Sequence, residues 1–99
     1  MKFMVQWEIH PERRSDVFEV FAEMELADYQ AMQGPNVTTI GRWHDIANGR
    51  GVAILESTDA DAIAVTLMKW NEAVDFEISI AHDDAEAHAL IRAHVGEDD

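Results

Sequence analysis

An Asn-Gly pair, Asn48-Gly49, sits at the middle of this 99-residue chain, with alternating runs on both sides: residues 40–44 before it and 51–56 after it. Asn-Gly is the strongest short-range hairpin signal, because both residues accept the positive φ that tight hairpin turns require. The pair therefore commits the centre of the chain to two antiparallel neighbours, and the remaining elements must be built around a sheet that contains them. The same stretch concentrates chemically capable side chains: Arg42, Trp43, His44, Asp45, Arg50 and Glu56.

The flanking segments can be read in order. Residues 2–9 alternate, with Phe3, Val5, Trp7 and Ile9 on one side and Met4, Gln6 and Glu8 on the other, which predicts a half-buried strand. His10-Pro11-Glu12 ends it, since proline lacks the ladder donor but suits a first helical turn. From Glu12 the period becomes helical, with Val17, Phe18, Phe21 and Met24 on one face. Leu26, Tyr29 and Met32 continue the apolar character, so the helix or a second short one runs to about Gln33, and Gly34-Pro35-Asn36 breaks it. Residues 37–44 and 51–57 are the second and third strands. Ser57-Thr58-Asp59 opens a helix over 60–70, with Thr58 or Asp59 as its cap. Val74, Phe76, Ile78 and Ile80 alternate with Asp75, Glu77 and Ser79 in a fourth strand. His82-Asp83-Asp84 begins a last helix over 85 to about 95, and Gly96-Glu97-Asp98-Asp99 reads as a frayed tail.

The order β-α-β-β-α-β plus a terminal helix is that of the ferredoxin-like split βαβ fold, an α+β class, in a single domain over 1–99. Right-handed crossovers give an antiparallel sheet of order 4-1-3-2, with the helices on one face above Phe3, Val5, Trp7, Ile9, Val74, Phe76, Ile78 and Ile80. A two-residue turn at Asn48-Gly49 puts Ile40, Arg42 and His44 on one side of the second strand. Gly41, Trp43, Val52, Ile54 and Glu56 then share the other, and a one-residue bulge would exchange the sets. In the simple register Arg42 and His44 join Asp75 and Glu77 on the uncovered face. A face of that kind pairs with a second copy, closing a barrel from two sheets, with Arg42 and His44 meeting Asp75 and Glu77 across the homodimer interface.

The opening Met-Lys-Phe-Met-Val-Gln-Trp, the Gly41-Arg42-Trp43-His44-Asp45 block, residues 51–56 and the late Trp70, Asp75, Phe76 and Glu77 resemble domain-of-unknown-function family 3303 of bacteria. The resemblance covers nearly the whole chain in matching order, and the Gly-Arg-Trp-His-Asp block is its most specific part. It implies a dimeric α/β-barrel, related in shape to small monooxygenases and stress-responsive barrel proteins, and it carries no activity. The chain departs from the family pattern over residues 25–36 and at Ala81, where proline is more usual.

Composition narrows the function classes. With 47% hydrophobic residues the chain can bury a core, and with no cysteine it has neither disulfides nor thiolate metal sites. A formal net charge of −13, with Lys2 and Lys69 as the only lysines, argues against nucleic acid and against anionic membrane surfaces. No apolar run is long enough to cross a bilayer, and the first residues read as a strand, not a signal peptide. A cytoplasmic protein is the resulting expectation.

Arg42 and His44 are the leading site candidates. A guanidinium can hold a carboxylate or enolate, and an imidazole can move a proton near neutral pH. The competing reading makes both interface glue for Asp75 and Glu77. Trp43 and Glu77 complete the candidate ligand-binding set, and Glu56, at the end of the third strand, is a third candidate for proton transfer beside a plainer reading as a solvated strand end. Trp7, Trp43 and Trp70 could line an aromatic pocket but read more simply as core. No metal is expected: His88 and His94 do not share a helix face, and His10 and His44 are separated by the third strand, about 10 Å apart. Residues 48–51 form a hairpin tip, not a phosphate cradle, so no cofactor is expected either. The functional expectation is a homodimeric barrel that binds a small organic molecule, between sheet and helices or in the barrel. The alternatives are a cofactor-independent monooxygenase or isomerase using Arg42 and His44, and a purely structural or regulatory dimer.

Overall fold

The computed structural model describes residues 1–97. Four strands, β1 (Lys2–Ile9), β2 (Thr38–Asp45), β3 (Arg50–Glu56) and β4 (Val74–Ala81), form one antiparallel sheet. Its order is β2-β3-β1-β4, the expected order read from the other edge. The helical stretch after Glu12 divides: a single 3-10 turn leads into α1 (Arg14–Glu23), and α2 (Leu26–Gln33) follows after Met24 turns extended. The break is held by a capping box, in which Glu25 and Asp28 each accept the other's backbone N–H. Helix α3 (Ala60–Met68) is capped by Asp59, whose carboxylate accepts from Asp61 N and Ala62 N at 3.0 and 3.3 Å. Helix α4 (Asp84–Glu97) ends the described chain. Gly96 and Glu97 thus continue the helix instead of fraying, and Asp98 and Asp99 lie outside the described residues.

The core sits between one sheet face and the helices. Phe3, Val5, Val37, Ala53, Leu55 and Ile63 form its main cluster, and Ile9, Val17, Ala73 and Val74 a second one at the other end. The alternation of β1 and β4 holds, with Phe3, Val5, Trp7 and Ile9 opposite Ile80, Ile78, Phe76 and Val74, but Ile78 and Ile80, expected beneath the helices, stay 47% and 59% exposed. The central hairpin departs from expectation in two ways. Its loop is longer than a two-residue turn: Asp45 pairs with Arg50, and residues 46–49 form a 3-10 turn ending at Gly49 with φ 65°. The Asp45 carboxylate explains this loop, since it accepts from Asn48 Nδ2 and from Arg50 Nε, both at 3.0 Å, and tightens the bend from inside. The second departure concerns faces. Val5 pairs with Ala53 and Phe3 with Leu55, so Ala53 and Leu55 lie beneath the helices, while Val52 and Ile54 face the opposite way.

Arg14 docks the hairpin tip onto α1. Its Nη2 donates to the Asn48 carbonyl at 3.1 Å, and its guanidinium fills the space where a Cβ on Gly49 would lie. Ile9 N donates to the Gly49 carbonyl at 2.7 Å, which ties the tip to the end of β1 as well.

Helix α4 is attached only at its start. Glu86 N donates to Asp83 Oδ1 at 2.8 Å, Asp83 N donates back to Glu86 at 3.1 Å, and Lys2 Nζ donates to Glu86 at 2.9 Å. These bonds, that from Lys2 first, hold the Glu86 carboxyl down to about 2. From His88 to Gly96 every side chain is exposed, including Leu90, Ile91 and Val95. The radius of gyration is 16.1 Å, against about 13 Å for a compact chain of this length. No helix among the described residues is long and apolar enough to cross a membrane.

Candidate functional site

The helix-covered face is not filled. At the end of the sheet where β1 finishes and β4 begins, a cavity of about 400 Å³ separates the sheet from α1, α2 and α3. Trp7, Ala53, Val74 and Phe76 form its floor; Val17, Phe18 and Phe21 come from α1, Tyr29 and Met32 from α2, and Leu67 and Trp70 from α3 and the turn after it. The wall facing the sheet edge is β2, which contributes Arg42 and His44.

A glycine and a bulge produce this geometry. Gly51 pairs with Trp7, and the Trp7 indole lies over it, in space that any side chain on residue 51 would occupy. In β2 the pairing slips by one residue between Thr39 and Gly41, leaving Ile40 as the extra residue. Thr39 and Arg42 consequently lie on the same side although their numbers differ by three. Continued without the bulge, the register of Thr38 and Thr39 would send Arg42 and His44 outward.

Arg42 and His44 are thus brought together as expected, but on the covered face, not on the open one with Asp75 and Glu77. Asp75 instead meets His10 of its own chain, with His10 Nε2 2.9 Å from its carboxylate. Trp43, Glu56 and Glu77 point away from the cavity. Trp43 is 60% exposed and lies back across Gly41. The expected ligand-binding set therefore divides between the two sides of the sheet. Of the three tryptophans, Trp7 and Trp70 line the cavity and Trp43 does not.

The electrostatics of the wall are lopsided. The Arg42 guanidinium lies 4.8 Å from the centre of the Tyr29 ring, a cation–π distance. It forms no ion pair among the described residues, where Lys2, His10, Arg13 and Arg50 do. Burial lowers Arg42 from its ordinary value, opposed by Tyr29, yet a guanidinium keeps its charge in proteins. The His44 ring sits edge-on to Trp7 at 5.4 Å and to Phe21 at 4.9 Å. Desolvation, then the Arg42 charge, pushes His44 below the ordinary imidazole range, so it is the free base at neutral pH. The Tyr29 phenol is raised by burial and stays protonated. A second hollow, floored by Thr39 and rimmed by Met24, Glu25, Leu26 and Gln30, shares Phe21, Tyr29, Arg42 and His44 with the first. These four residues form the boundary between an apolar interior and a more polar vestibule.

Phe21, Tyr29, Met32 and Gln33 carry no mark in the chain that singles them out as site residues. Their one legible sign is the aromatic pair Phe21 and Tyr29, which the break between α1 and α2 brings to a ring separation of 5.0 Å. Trp70 Nε1 donates to the Met32 sulfur at 3.2 Å and Lys69 Nζ to the Met32 carbonyl at 2.6 Å, which pins α2 against the end of α3 and sets the cavity's depth.

Comparison with known proteins gives a family and a set of fold neighbours. The chain belongs to the family described as Domain of unknown function (DUF3303), which matches residues 1–95. Among solved structures it is similar to an antibiotic biosynthesis monooxygenase, with a TM-score of 0.49 and 19% identity over 83% of this chain and 98% of the other. It is also similar to a NIPSNAP family protein from Agrobacterium tumefaciens str. C58, with a TM-score of 0.48 and 13% identity over 85% of this chain and 96% of the other. An uncharacterized NIPSNAP domain protein from Burkholderia xenovorans gives a TM-score of 0.46 and 10% identity over 85% and 97%. No curated protein matches the sequence.

Proposed function

We propose that this member of the DUF3303 family binds a small organic molecule in the cavity between its sheet and helices, and does so as a homodimer. The cavity carries the first part. About 400 Å³ of space with aromatic and aliphatic walls, and two polar side chains converging on one of them, is the usual form of a small-molecule site. A filled core would have no such space at this density of aromatic residues. The test is occlusion. Ala22 lines the cavity from α1, and Ala22→Trp places an indole in it. Binding of small aromatic probes, followed by calorimetry, should be lost while the circular dichroism spectrum is kept. Probe binding that survives the substitution overturns the cavity as the site.

The homodimer is supported by what the single chain leaves uncovered. The sheet face away from the helices carries Met4, Trp43, Val52 and Ile54, and α4 exposes Leu90, Ile91 and Val95 to water. An isolated helix of 14 residues is marginal in water without an apolar face to pack on. Sedimentation at micromolar concentration should give twice the chain mass; a monomer at every concentration removes this part.

A catalytic reading has one observation in its favour. His44 stands on the same wall as a guanidinium, and burial and that charge hold its imidazole below the ordinary range. That pair suits proton abstraction from an enolisable or phenolic substrate, in the manner of a cofactor-independent oxygenase or isomerase. His44→Ala should abolish any such turnover on quinone or enolisable substrates. Turnover that is unchanged removes His44 as the base.

A further inference from the structure

The chemistry of the occupant can be narrowed, on the premise that the cavity is a binding site. The chain has 20 acidic residues and 7 basic ones, yet the inner cavity is lined by no Asp or Glu and by one arginine. Glu25 is the only carboxylate on the vestibule, and it is engaged in capping α2. Arg42 thus stands partly desolvated on a wall of aromatic and aliphatic groups, with a π-face and a neutral imidazole for company. A charge taken from water without a counter-charge is costly, and proteins keep such groups where a partner of opposite sign completes them. No protein group does so here, since no carboxylate reaches Arg42 within ion-pair distance among the described residues.

We infer that the cavity takes a small apolar acid: a ring-bearing body seated among Trp7, Trp70 and Phe76, with a single carboxylate held by Arg42 at the boundary with the vestibule. The fork of the guanidinium matches the two oxygens of a carboxylate. The His44 ring, which has no hydrogen-bonding partner among the described residues, is placed on the same wall to donate to a carboxylate oxygen. The interior is mostly apolar, its Thr66 hydroxyl donating to the Ala62 carbonyl and its Gln33 Oε1 accepting from Thr39, while the charge stands at the mouth, which sets the orientation: body first, charge last. The strongly acidic exterior would repel such a ligand at long range, so the selectivity has to come from the interior and not from steering.

The test compares acids with alcohols of the same shape. 1-Naphthoate and 4-phenylbutanoate are titrated calorimetrically against the full chain at pH 7.5, alongside 1-naphthalenemethanol and 4-phenylbutanol. At least one acid should bind about tenfold or more tighter than its alcohol. Arg42→Met should erase that difference, and Arg42→Lys should restore part of it. Equal affinity of acid and alcohol in the native chain overturns the acid inference and leaves the cavity as a site for neutral molecules. Failure of all four probes overturns both readings. The native-chain ratio decides the matter even where a variant does not fold. An acid preference that persists in Arg42→Met also counts against the inference, since the charge would then be read elsewhere.

Discussion

The two faces of this sheet do opposite things with the same strands. On the covered face, Val5, Ala53 and Leu55 are almost wholly buried, Arg42 and His44 meet the aromatic cluster, and Ile78 and Ile80 on β4 stay exposed. On the open face, Met4, Val52 and Ile54 are only partly covered, Trp43 lies 60% exposed, and Glu8, Glu56, Asp75 and Glu77 surround them. The covered face has completed most of its burial within one chain and kept a hollow; the open face has left more of its burial undone. Stability of the single chain should therefore reside in the first, and association in the second.

The contrast is sharpest in a pair of truncations. Ile63→Ala, on the sheet-facing side of α3 at 2% exposure, should cost about 2–5 kcal/mol of unfolding free energy in a denaturant titration. Ile54→Ala should cost much less at a concentration where the chain is monomeric. Equal losses would erase the distinction between the faces. Next in size, Gly51→Ala should cost about 1–3 kcal/mol by forcing the Trp7 indole off its seat. It should also shift the tryptophan emission and weaken binding of aromatic probes; an unmoved spectrum would mean that Trp7 is not held by the glycine. Trp43→Lys belongs to the other face. It should weaken self-association about tenfold or more in sedimentation, with the unfolding midpoint of dilute chain nearly unmoved. The smallest effect is that of pH. The bond to Asp75 raises His10 above its ordinary 6.5. A raised value means the folded state holds the proton more tightly, so the contribution is full below about 6.5 and is lost as pH rises through the folded value. Thermal midpoints of the native chain and of His10→Gln should converge on going from pH 5.5 to 8.5. A constant gap would assign the difference to packing.

What could be read from the chain follows from how locally each feature is determined. The alternation in β1 and β4 is clear, because large hydrophobic residues recur at every second position with polar ones between them except at Met4, and the faces of Phe3, Val5, Phe76, Asp75 and Glu77 follow. The element order, and with it the sheet order, needs only that periodicity and right-handed crossovers. The residues of β3 are different: Val52 and Ile54 are as apolar as Ala53 and Leu55, so local pattern does not say which pair is covered. That choice is made by pairing with β1, fifty residues away, and it carried Arg42 and His44 to the side opposite the one expected. The importance of both residues was legible in their chemical type, whereas their surroundings were not. Gly49 keeps the positive φ anticipated for an Asn-Gly bend, but the Asp45 carboxylate rearranged the turn around it. The α1–α2 wall of the cavity depends on a helix break that the chain left open as one helix or two.

The slip at Ile40 has a consequence for how this architecture diversifies. Strand β2 acts as a parity counter: with Arg42 held inward by its pairing with Ala53, the extra residue at Ile40 decides which side Thr38 and Thr39 take. Loss of one codon there would leave the charge in the hollow while turning Thr39, the floor of the vestibule, to the underside. Relatives of equal shape but different length at this point would hence present unlike chemistry, and sorting them by that one gap would predict which of them share a ligand class.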